Sequence, residues 1–260
     1  MTLLEAIILG IIQGLAEFLP ISSSGHLALG QYLFGIEESN LAFIIVVHIG
    51  TLIPVVIVYR NTIWELIKKP FQKMTYLLIV ATVPAAIVAF FFEDAIEAAL
   101  TSIGFLAVGF IITGLVLICT DRLRKNAKKS DEITYLDAAF IGIAQAVAVF
   151  PGISRSGSTI AASLARGINR EDAAKFAFLM SIPAILGALL IQIIHIVRGN
   201  ILLEDLNFVT LGAGFLASAL SGYLAINFML AAIKKAKLSY FAYYVLGLAA
   251  LIGVYLLFFS

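Results

Sequence analysis

Charged residues are scarce in this chain of 260 residues, at 13% of the sequence, whereas hydrophobic residues make up 62%. With a mean hydropathy of +1.05 the composition excludes a water-soluble globular domain. The single cysteine, Cys119, excludes an intrachain disulfide, a redox pair and a cysteine metal site. Residues 1–9 lack the basic region of a cleavable signal peptide, so we expect the first helix to be retained.

Long apolar runs are what the sequence does contain. Six of them are each about long enough to cross a hydrocarbon core of roughly 30 Å at 1.5 Å per residue. They are residues 41–59, 76–92, 103–119, 176–197, 208–232 and 240–258. This pattern predicts an all-α polytopic membrane protein with six transmembrane helices, folded as a single membrane domain over residues 1–260.

The charges are distributed unevenly between the two sides of these spans. Fifteen of the 17 basic residues fall in four clusters, which are Arg60, Lys68, Lys69 and Lys73; Arg122, Arg124, Lys125, Lys128 and Lys129; Arg166, Arg170 and Lys175; and Lys234, Lys235 and Lys237. The other loops are acidic, with Glu37, Glu38, Glu93, Asp94, Glu97, Glu204 and Asp205 beside the basic Arg198. The positive-inside rule places the basic clusters, including the linker 121–133, in the cytoplasm and both termini outside. We interpret each single charged residue in these runs as part of a solvated loop, without a role of its own.

Two segments do not fit this topology as spans. Residues 1–36 must begin and end outside, and residues 134–168 lie between two basic clusters and must begin and end inside. Each reads as two short helices joined by a polar turn, which is typical of a re-entrant hairpin. Non-helical backbone at membrane depth is tolerated only inside protein or along a wet cavity, so both turns predict such a cavity.

The two hairpins are copies of each other. With a constant offset of 132, residues 10–25 (GIIQGLAEFLPISSSG) match residues 142–157 (GIAQAVAVFPGISRSG) at nine of 16 positions without a gap. Three spans follow each hairpin, so the second copy is expected upside down relative to the first. The sequence therefore predicts an inverted-topology repeat, with repeat one at 1–120 and repeat two at 134–260, and a site near the midplane where the broken helices meet.

The turns contain the chemistry of an anion site. Pro20 and Pro151 help to end the first short helices, and serines that follow can cap the second ones. Capping alone is the alternative interpretation of these serines. Two helix N-termini aimed at one point would bind an anion through free N–H groups and their partial positive charge. The expected binding residues are Ser22, Ser24 and Gly25 in the first turn, and Ser154, Ser156 and Gly157 in the second.

Arg155 and Glu17 are charged residues at membrane depth and therefore candidates for function. A guanidinium suits phosphate oxygens, and its structural alternative is an ion pair with Glu17. Glu17 and Gln13 lie four residues apart, on one helix face. Their oxygens suit a hard divalent cation, with Mg²⁺ as the first candidate and Ca²⁺ as the second. A proton-accepting role for Glu17 stays open.

Three histidines require separate interpretations. His26 follows Ser23 by three residues at the head of a helix, within reach of a serine or water proton, so we interpret it as a catalytic acid or base. A structural role is its alternative. His48 either lines the cavity or forms a hydrogen bond between helices, and His195 is interpreted as structural.

The motifs QGLAEFLPISSSGH, residues 13–26, and PGISRSGST, residues 151–159, resemble the two signatures of the undecaprenyl-pyrophosphate phosphatase family, the bacitracin-resistance proteins. The length and span pattern agree along essentially the whole chain. This resemblance implies hydrolysis of a polyprenyl pyrophosphate to the monophosphate, which recycles the lipid carrier for cell-wall glycan export, with a divalent cation. By position it implies Ser23 as nucleophile, His26 as general base or acid and Arg155 as phosphate clamp. It also makes Gln13 and Glu17 the metal pair, and Ser154 and Thr159 polar residues of the second motif. At the first position of the metal pair the family's motif has either Glu or Gln, and this chain has Gln13.

A rival function from another class also fits. Inverted repeats with broken helices are the design of secondary transporters, so the same site could move an anionic polyprenyl phosphate lipid without hydrolysis. His26 and Glu17 argue against a pure carrier, which needs neither a base nor a metal-binding carboxylate. The expected partners are the lipid substrate and the bilayer of the plasma membrane, with access from the outer face and no nucleic acid. The small-residue stretch 212–222 (GAGFLASALSG) would pack helices within the chain or in a homodimer.

Overall fold

The computed structural model describes residues 1–36, 41–123, 127–197, 207–235 and 237–259. Its helices, α1 to α12, are Leu3–Phe18, Ser23–Leu33, Leu41–Val58, Arg60–Lys68, Lys73–Phe91, Glu93–Thr101, Ile103–Thr120, Tyr135–Val147, Arg155–Ala165, Arg170–Val197, Phe208–Lys235 and Ser239–Phe259. Several residues of the charge analysis lie outside the described residues, namely Glu37, Glu38, Arg124, Lys125, Arg198, Glu204 and Asp205, as do the side chains of His195 and Lys235.

The predicted membrane spans are present as helices. The helices α5, α7, α10, α11 and α12 are each long and apolar enough to cross a membrane. Helix α3 passes the same test together with α4, from which it is bent by 89°. The expected all-α polytopic membrane fold is therefore confirmed, with five to six candidate spans in the described part of the chain.

Two short helices lie where the sequence predicts solvated loops. Arg60–Lys68 and Glu93–Thr101 form α4 and α6, within charge runs that a search for apolar spans leaves as loops. The apolar side chains of α4 recur at helical spacing, with Ile63, Leu66 and Ile67 on one side. A search for long apolar runs misses such helices because their charged residues interrupt the run.

The two halves of the chain are built alike. The bounds of α2 and α9 differ by the same offset of 132 that aligns the sequences. Thr2 and Thr134, which are equivalent, both cap the helix that follows through a capping box. The first helix of each half packs on the middle span of the other, since α1 lies against α11 and α8 against α5. The division into repeats at 1–120 and 134–260 stays a prediction that these matches support.

Glycine allows α1 to approach α11 at backbone distance. A Cβ atom on Gly14 would lie 2.4 Å from the carbonyl oxygen of Ser218, and one on Gly10 would lie 2.6 Å from that of Gly214. The small-residue stretch 212–222 is thus used within the chain, where small residues bring membrane helices together. The homodimer stays a prediction.

A polar cluster fixes the second hairpin to the linker that precedes it. The side chain of Asp137, at the start of α8, is fully buried and accepts hydrogen bonds from Lys128 and from Arg166, whose Nε lies 2.8 Å away. The backbone N–H of Lys128 also donates to the carbonyl oxygen of Gly167 at 3.1 Å. Both ends of the hairpin are therefore held together, and this fixes the position of its turn.

Candidate functional site

The polar turns of the two hairpins meet inside the protein. The hydroxyl of Ser156, in the first turn of α9, donates to the carbonyl oxygen of Leu19 at 3.0 Å. A Cβ atom on Gly25 would lie 2.9 Å from the Cα of Gly152, so the backbones touch there. Gly152 has a φ of +84°, which glycine adopts without strain. The convergence expected from the repeat is therefore observed.

The serines at the helix starts act as N-caps. The hydroxyl of Ser22 accepts from the N–H of Gly25 at 3.3 Å, and that of Ser154 accepts from Gly157 at 3.1 Å. Ser22 has a φ of +72°, a left-handed conformation that is strained for a residue with a side chain. Strain of this kind costs about 1–3 kcal/mol and clusters at functional sites. A helix N-terminus favours an anion, so the starts of α2 and α9, which lie beside each other where the turns meet, are candidates for phosphate binding.

Glu17 is the centre of the polar contacts in the site. Its side chain is 2% exposed and accepts three hydrogen bonds. Oε1 accepts from Arg155 across the two hairpins. Oε2 accepts from the Ser23 hydroxyl at 2.7 Å and from Nε2 of Gln13 at 3.0 Å. Four of the residues predicted for catalysis or metal binding therefore form one hydrogen-bonded network, namely Gln13, Glu17, Ser23 and Arg155. His26 is not part of it.

The ion pair that was the structural alternative for Arg155 is present, and it does not use up the guanidinium. The side chain of Arg155 is 25% exposed and its Nη2 contacts Glu17. A guanidinium has five N–H donors in a planar fork, so donors remain for a phosphate. Glu17 compensates the charge of Arg155, and an unpaired guanidinium at membrane depth would be more costly than this pair. Both roles of Arg155 therefore agree with the geometry.

The side chains around Glu17 offer oxygen atoms of the kind that a divalent cation binds. Oε1 of Gln13 is buried and has no hydrogen-bond partner in the described structure, as is also true of Oε1 of the equivalent Gln145, but only Gln13 has a carboxylate, that of Glu17, on the same helix face. Together with Glu17 and Ser23 it offers oxygen ligands of the type Mg²⁺ and Ca²⁺ prefer. The residues described contain no group of three or more His, Cys, Asp or Glu side chains that could hold a metal ion, so Gln13, Glu17 and Ser23 alone would be an incomplete set of ligands.

His26 is held by a tyrosine of the last span. Nδ1 of His26 lies 2.8 Å from the carbonyl oxygen of Ser22, and Nε2 lies 2.9 Å from the hydroxyl of Tyr244. Since a carbonyl oxygen only accepts, Nδ1 carries a proton and Nε2 of the neutral ring accepts from Tyr244. The two rings stack with centroids 5.5 Å apart. In the described contacts, Ser23 donates to Glu17 and not to His26.

The remaining candidates take mostly local hydrogen bonds. The hydroxyl of Ser24 lies 3.4 Å from that of Ser22. Thr159 donates to the carbonyl oxygen of Arg155 at 2.8 Å, within its own helix. Nδ1 of His48 bonds to the carbonyl oxygen of Ile44 at 2.8 Å, also within its helix. No contact to the two turns is recorded for His48 among the residues described.

Three residues of the site were missed by the sequence analysis. Tyr244 contacts His26 as described, and Phe110 packs edge-on against the same ring at 5.1 Å between centroids. Thr113 donates to the carbonyl oxygen of Gly152 at 2.9 Å and accepts from the N–H of Ser154 at 2.9 Å. All three come from spans without a local motif, so only the pairing of α7 and α12 with the hairpins reveals them.

The fold and the site define a polytopic membrane protein with a polar, serine-containing centre where two helical hairpins meet. The family described as "Bacitracin resistance protein BacA" matches residues 6–251. "Undecaprenyl-diphosphatase" of Carboxydothermus hydrogenoformans is 47% identical over 250 residues, 95% of this chain and 96% of the relative. "Undecaprenyl-diphosphatase 4" of Bacillus cereus is 47% identical over 254 residues, 97% and 96% of the two chains. The relative from Rubrobacter xylanophilus, "Undecaprenyl-diphosphatase", is 38% identical over 273 residues, 98% of each chain. The chain belongs to the bacitracin resistance protein BacA family.

Proposed function

We propose that this protein hydrolyses undecaprenyl pyrophosphate to undecaprenyl phosphate and inorganic phosphate. The observation that carries the proposal is the Arg155–Glu17–Ser23 network at the meeting point of the two turns, in a chain whose relatives are named undecaprenyl-diphosphatase. The network joins a phosphate-binding guanidinium to a hydroxyl that can attack phosphorus. The relatives named above are hydrolases, so the alternative of transport without hydrolysis gains no support.

The product suggests the role of the reaction in the cell. Removing the terminal phosphate returns the lipid to the monophosphate, the form that serves again as carrier for cell-wall glycan synthesis. This agrees with the bacitracin resistance in the name of the family. We propose that the protein lies in the plasma membrane with both termini outside and that the pyrophosphate enters from the outer face. The charge pattern supports this orientation, since the linker around Lys128 is basic and α6 is acidic.

The geometry supports a two-step displacement at the terminal phosphorus. Ser23 Oγ attacks that phosphorus, and the bond to the bridging oxygen breaks, which releases undecaprenyl phosphate and leaves a phosphoserine. Water then hydrolyses the phosphoserine to free phosphate and restores the hydroxyl. Arg155 and the N–H groups at the starts of α2 and α9 stabilise the charge on the phosphoryl oxygens in both steps. Attack by an activated water without the covalent step is the close variant.

Two groups are placed to accept the serine proton. Oε2 of Glu17 already accepts the hydrogen bond of Ser23 at 2.7 Å. Nε2 of His26 lies 2.9 Å from the hydroxyl of Tyr244, and in the neutral ring with a proton on Nδ1 it has the lone pair that a base requires. We propose His26 as the acid or base that serves the attacking or leaving oxygen, and Glu17 as the group that orients Ser23.

We propose Gln13 and Glu17 as the ligands of a divalent cation, with Mg²⁺ as the first candidate and Ca²⁺ as the second. When bound, such an ion neutralises charge on the pyrophosphate oxygens. Ser22, Ser24, Gly25 and their counterparts Ser154, Ser156, Gly157 and Thr159 shape the two turns around the substrate.

Phosphate release is the experiment that tests this function. The purified protein in detergent should release phosphate from undecaprenyl pyrophosphate, EDTA should stop the release, and Mg²⁺ should restore it. Undecaprenyl monophosphate is the control and should give no phosphate, because the phosphoanhydride is the bond under attack. If no metal supports release from the pyrophosphate, the function is wrong. Release that persists in EDTA would leave the function standing and remove the metal.

Tyr244→Phe should reduce phosphate release about tenfold while leaving KM nearly unchanged. The substitution keeps the ring stacked on His26 and removes only the hydroxyl that fixes Nε2, and a hydrogen bond of about 1.4 kcal/mol corresponds to a factor of ten. Tyr243→Phe is the matched control, because Tyr243 is the neighbouring tyrosine of the same helix and is 63% exposed. Steady-state kinetics that do not distinguish the two variants would contradict a positioning role for Tyr244.

A further inference from the structure

A short helix lies across the end of the third helix. The chain turns by 89° between α3 and α4, so α4 is perpendicular to a helix that is apolar along its length. With nine residues, α4 is too short to span a bilayer. If α3 crosses the membrane, α4 lies in the plane of the membrane surface, which is the position of an interfacial amphipathic helix.

One side of α4 borders an apolar cavity. Ile63 and Leu66 are partly buried against the core of the protein. Both residues line a cavity of about 210 Å³ that is open on one side. Its lining residues, which come from α4, α5 and α10, are Ile63, Leu66, Ile67, Leu78, Leu179, Ile182 and Pro183. The lining is apolar, so the cavity suits a hydrocarbon chain and not water.

The other side of α4 is basic and aromatic. The Nζ atom of Lys68 lies 5.1 Å from the centroid of the Trp64 ring, and Trp64 itself is 58% exposed. Phe71, just beyond the helix, is 85% exposed. Aromatic rings beside lysine are typical of the level of the lipid head groups, where one end of the side chain is apolar and the other is wet.

The charge of α4 is not balanced locally. In the described residues neither Lys68 nor Lys69 forms an ion pair, and Glu65 is the one acidic residue of the helix. The opposite end of α5 carries α6, whose first turn is acidic, with Glu93 and Asp94. The two surface helices at the ends of one span therefore carry opposite charge, and only α4 is suited to an anionic leaflet.

We propose that α4 and the cavity it borders form a binding site for an anionic phospholipid of the cytoplasmic leaflet. The lipid phosphate contacts Lys68 and Lys69, and an acyl chain enters the cavity between α4 and Ile182. Each basic residue near an anionic surface strengthens such binding about fivefold. The site is separate from the hairpin turns and does not depend on the proposed hydrolysis.

The chain contains a single tryptophan, Trp64, and it lies on this helix. Its fluorescence therefore reports on α4 alone. The full-length protein is reconstituted in phosphatidylcholine vesicles that contain an equal small fraction of either brominated phosphatidylglycerol or brominated phosphatidylcholine. We expect severalfold stronger quenching by the brominated phosphatidylglycerol. Equal quenching by the two lipids in the wild-type protein would overturn the proposal.

Different substitutions test the contribution of the lysine charges and that of the apolar cavity. The quenching of Trp64 in each variant is compared with that variant's own unquenched emission. In Lys68→Gln/Lys69→Gln the two brominated lipids should quench equally. Lys68→Arg/Lys69→Arg should keep the preference for phosphatidylglycerol. Lys237→Gln, which removes a charge from another basic cluster, is the matched control and should also keep it. A preference that survives the double glutamine substitution contradicts the role of the lysines. Ile182→Phe narrows the cavity and should weaken the preference, and an unchanged preference would refute the acyl-chain part of the proposal.

Discussion

Replacing Arg155 by lysine should lower phosphate release by about 10²–10³-fold in a protein that still folds. Arg155 reaches Glu17 across the two hairpins and is the one cation recorded at the meeting of the turns in the described structure. Removal of a well-placed donor to developing oxygen charge typically costs this much. Lysine keeps the positive charge, but its ammonium is a compact point charge and lacks the planar fork that pairs with two phosphate oxygens side by side.

Alanine at position 155 is a less informative change, because it leaves the carboxylate of Glu17 buried and without a cation. Breaking a buried ion pair from one side costs about 3–5 kcal/mol of stability. The double variant Glu17→Gln/Arg155→Met removes both charges and should unfold nearer the wild-type temperature while remaining inactive. Thermal unfolding in detergent measures stability, and phosphate release measures the reaction. A lysine variant that hydrolyses the substrate at the wild-type rate would show that the fork of Arg155 is not required.

The spans could be predicted because hydropathy is summed over many consecutive residues, so that a single polar residue does not hide a span. Each is a run of apolar residues, and α5, α7, α10, α11 and α12 begin and end within a few residues of those runs, apart from the first turns of α10. The surface helices α4 and α6 could not be found in this way, since amphipathic segments have no long apolar run. Their identification requires a search for residues on one helix face, as with Ile63 and Leu66.

The meeting of Glu17 with Arg155 could also be predicted, since the duplication placed two equivalent turns in one cavity. What the sequence could not supply is the direction of each side chain. His26 lies three residues after Ser23, a spacing that brings the two within reach on a helix. In the structure Nδ1 of His26 instead turns to the carbonyl oxygen of Ser22, the cap residue, which has a positive φ. Such a local backbone conformation is set by tertiary contacts and has no signature in the motif.

Ser23→Ala should abolish phosphate release, with a loss of at least about 10³-fold, if the reaction passes through a phosphoserine. The substitution removes the attacking oxygen and also the hydrogen bond to Oε2 of Glu17, while Arg155 remains paired with Oε1. The fold should survive because Ser23 is only partly buried and the cap of α2 belongs to Ser22. Ser163→Ala is the matched control, since that serine lies on α9 and donates only within its own helix.

Two substitutions distinguish Glu17 from His26 as the base that accepts the proton of Ser23. With Glu17→Gln the acceptor of the observed hydrogen bond becomes an amide, which cannot take the proton, and with His26→Gln the network of Glu17 stays intact. If His26 is the base, His26→Gln removes the acid limb of the pH–rate profile. Glu17→Gln should then lower the rate and leave that limb in place. Quenching the reaction of each variant with labelled pyrophosphate substrate shows whether a labelled protein accumulates. Full activity of Ser23→Ala, with no labelled protein in any variant, would eliminate the covalent step and assign the attack to water.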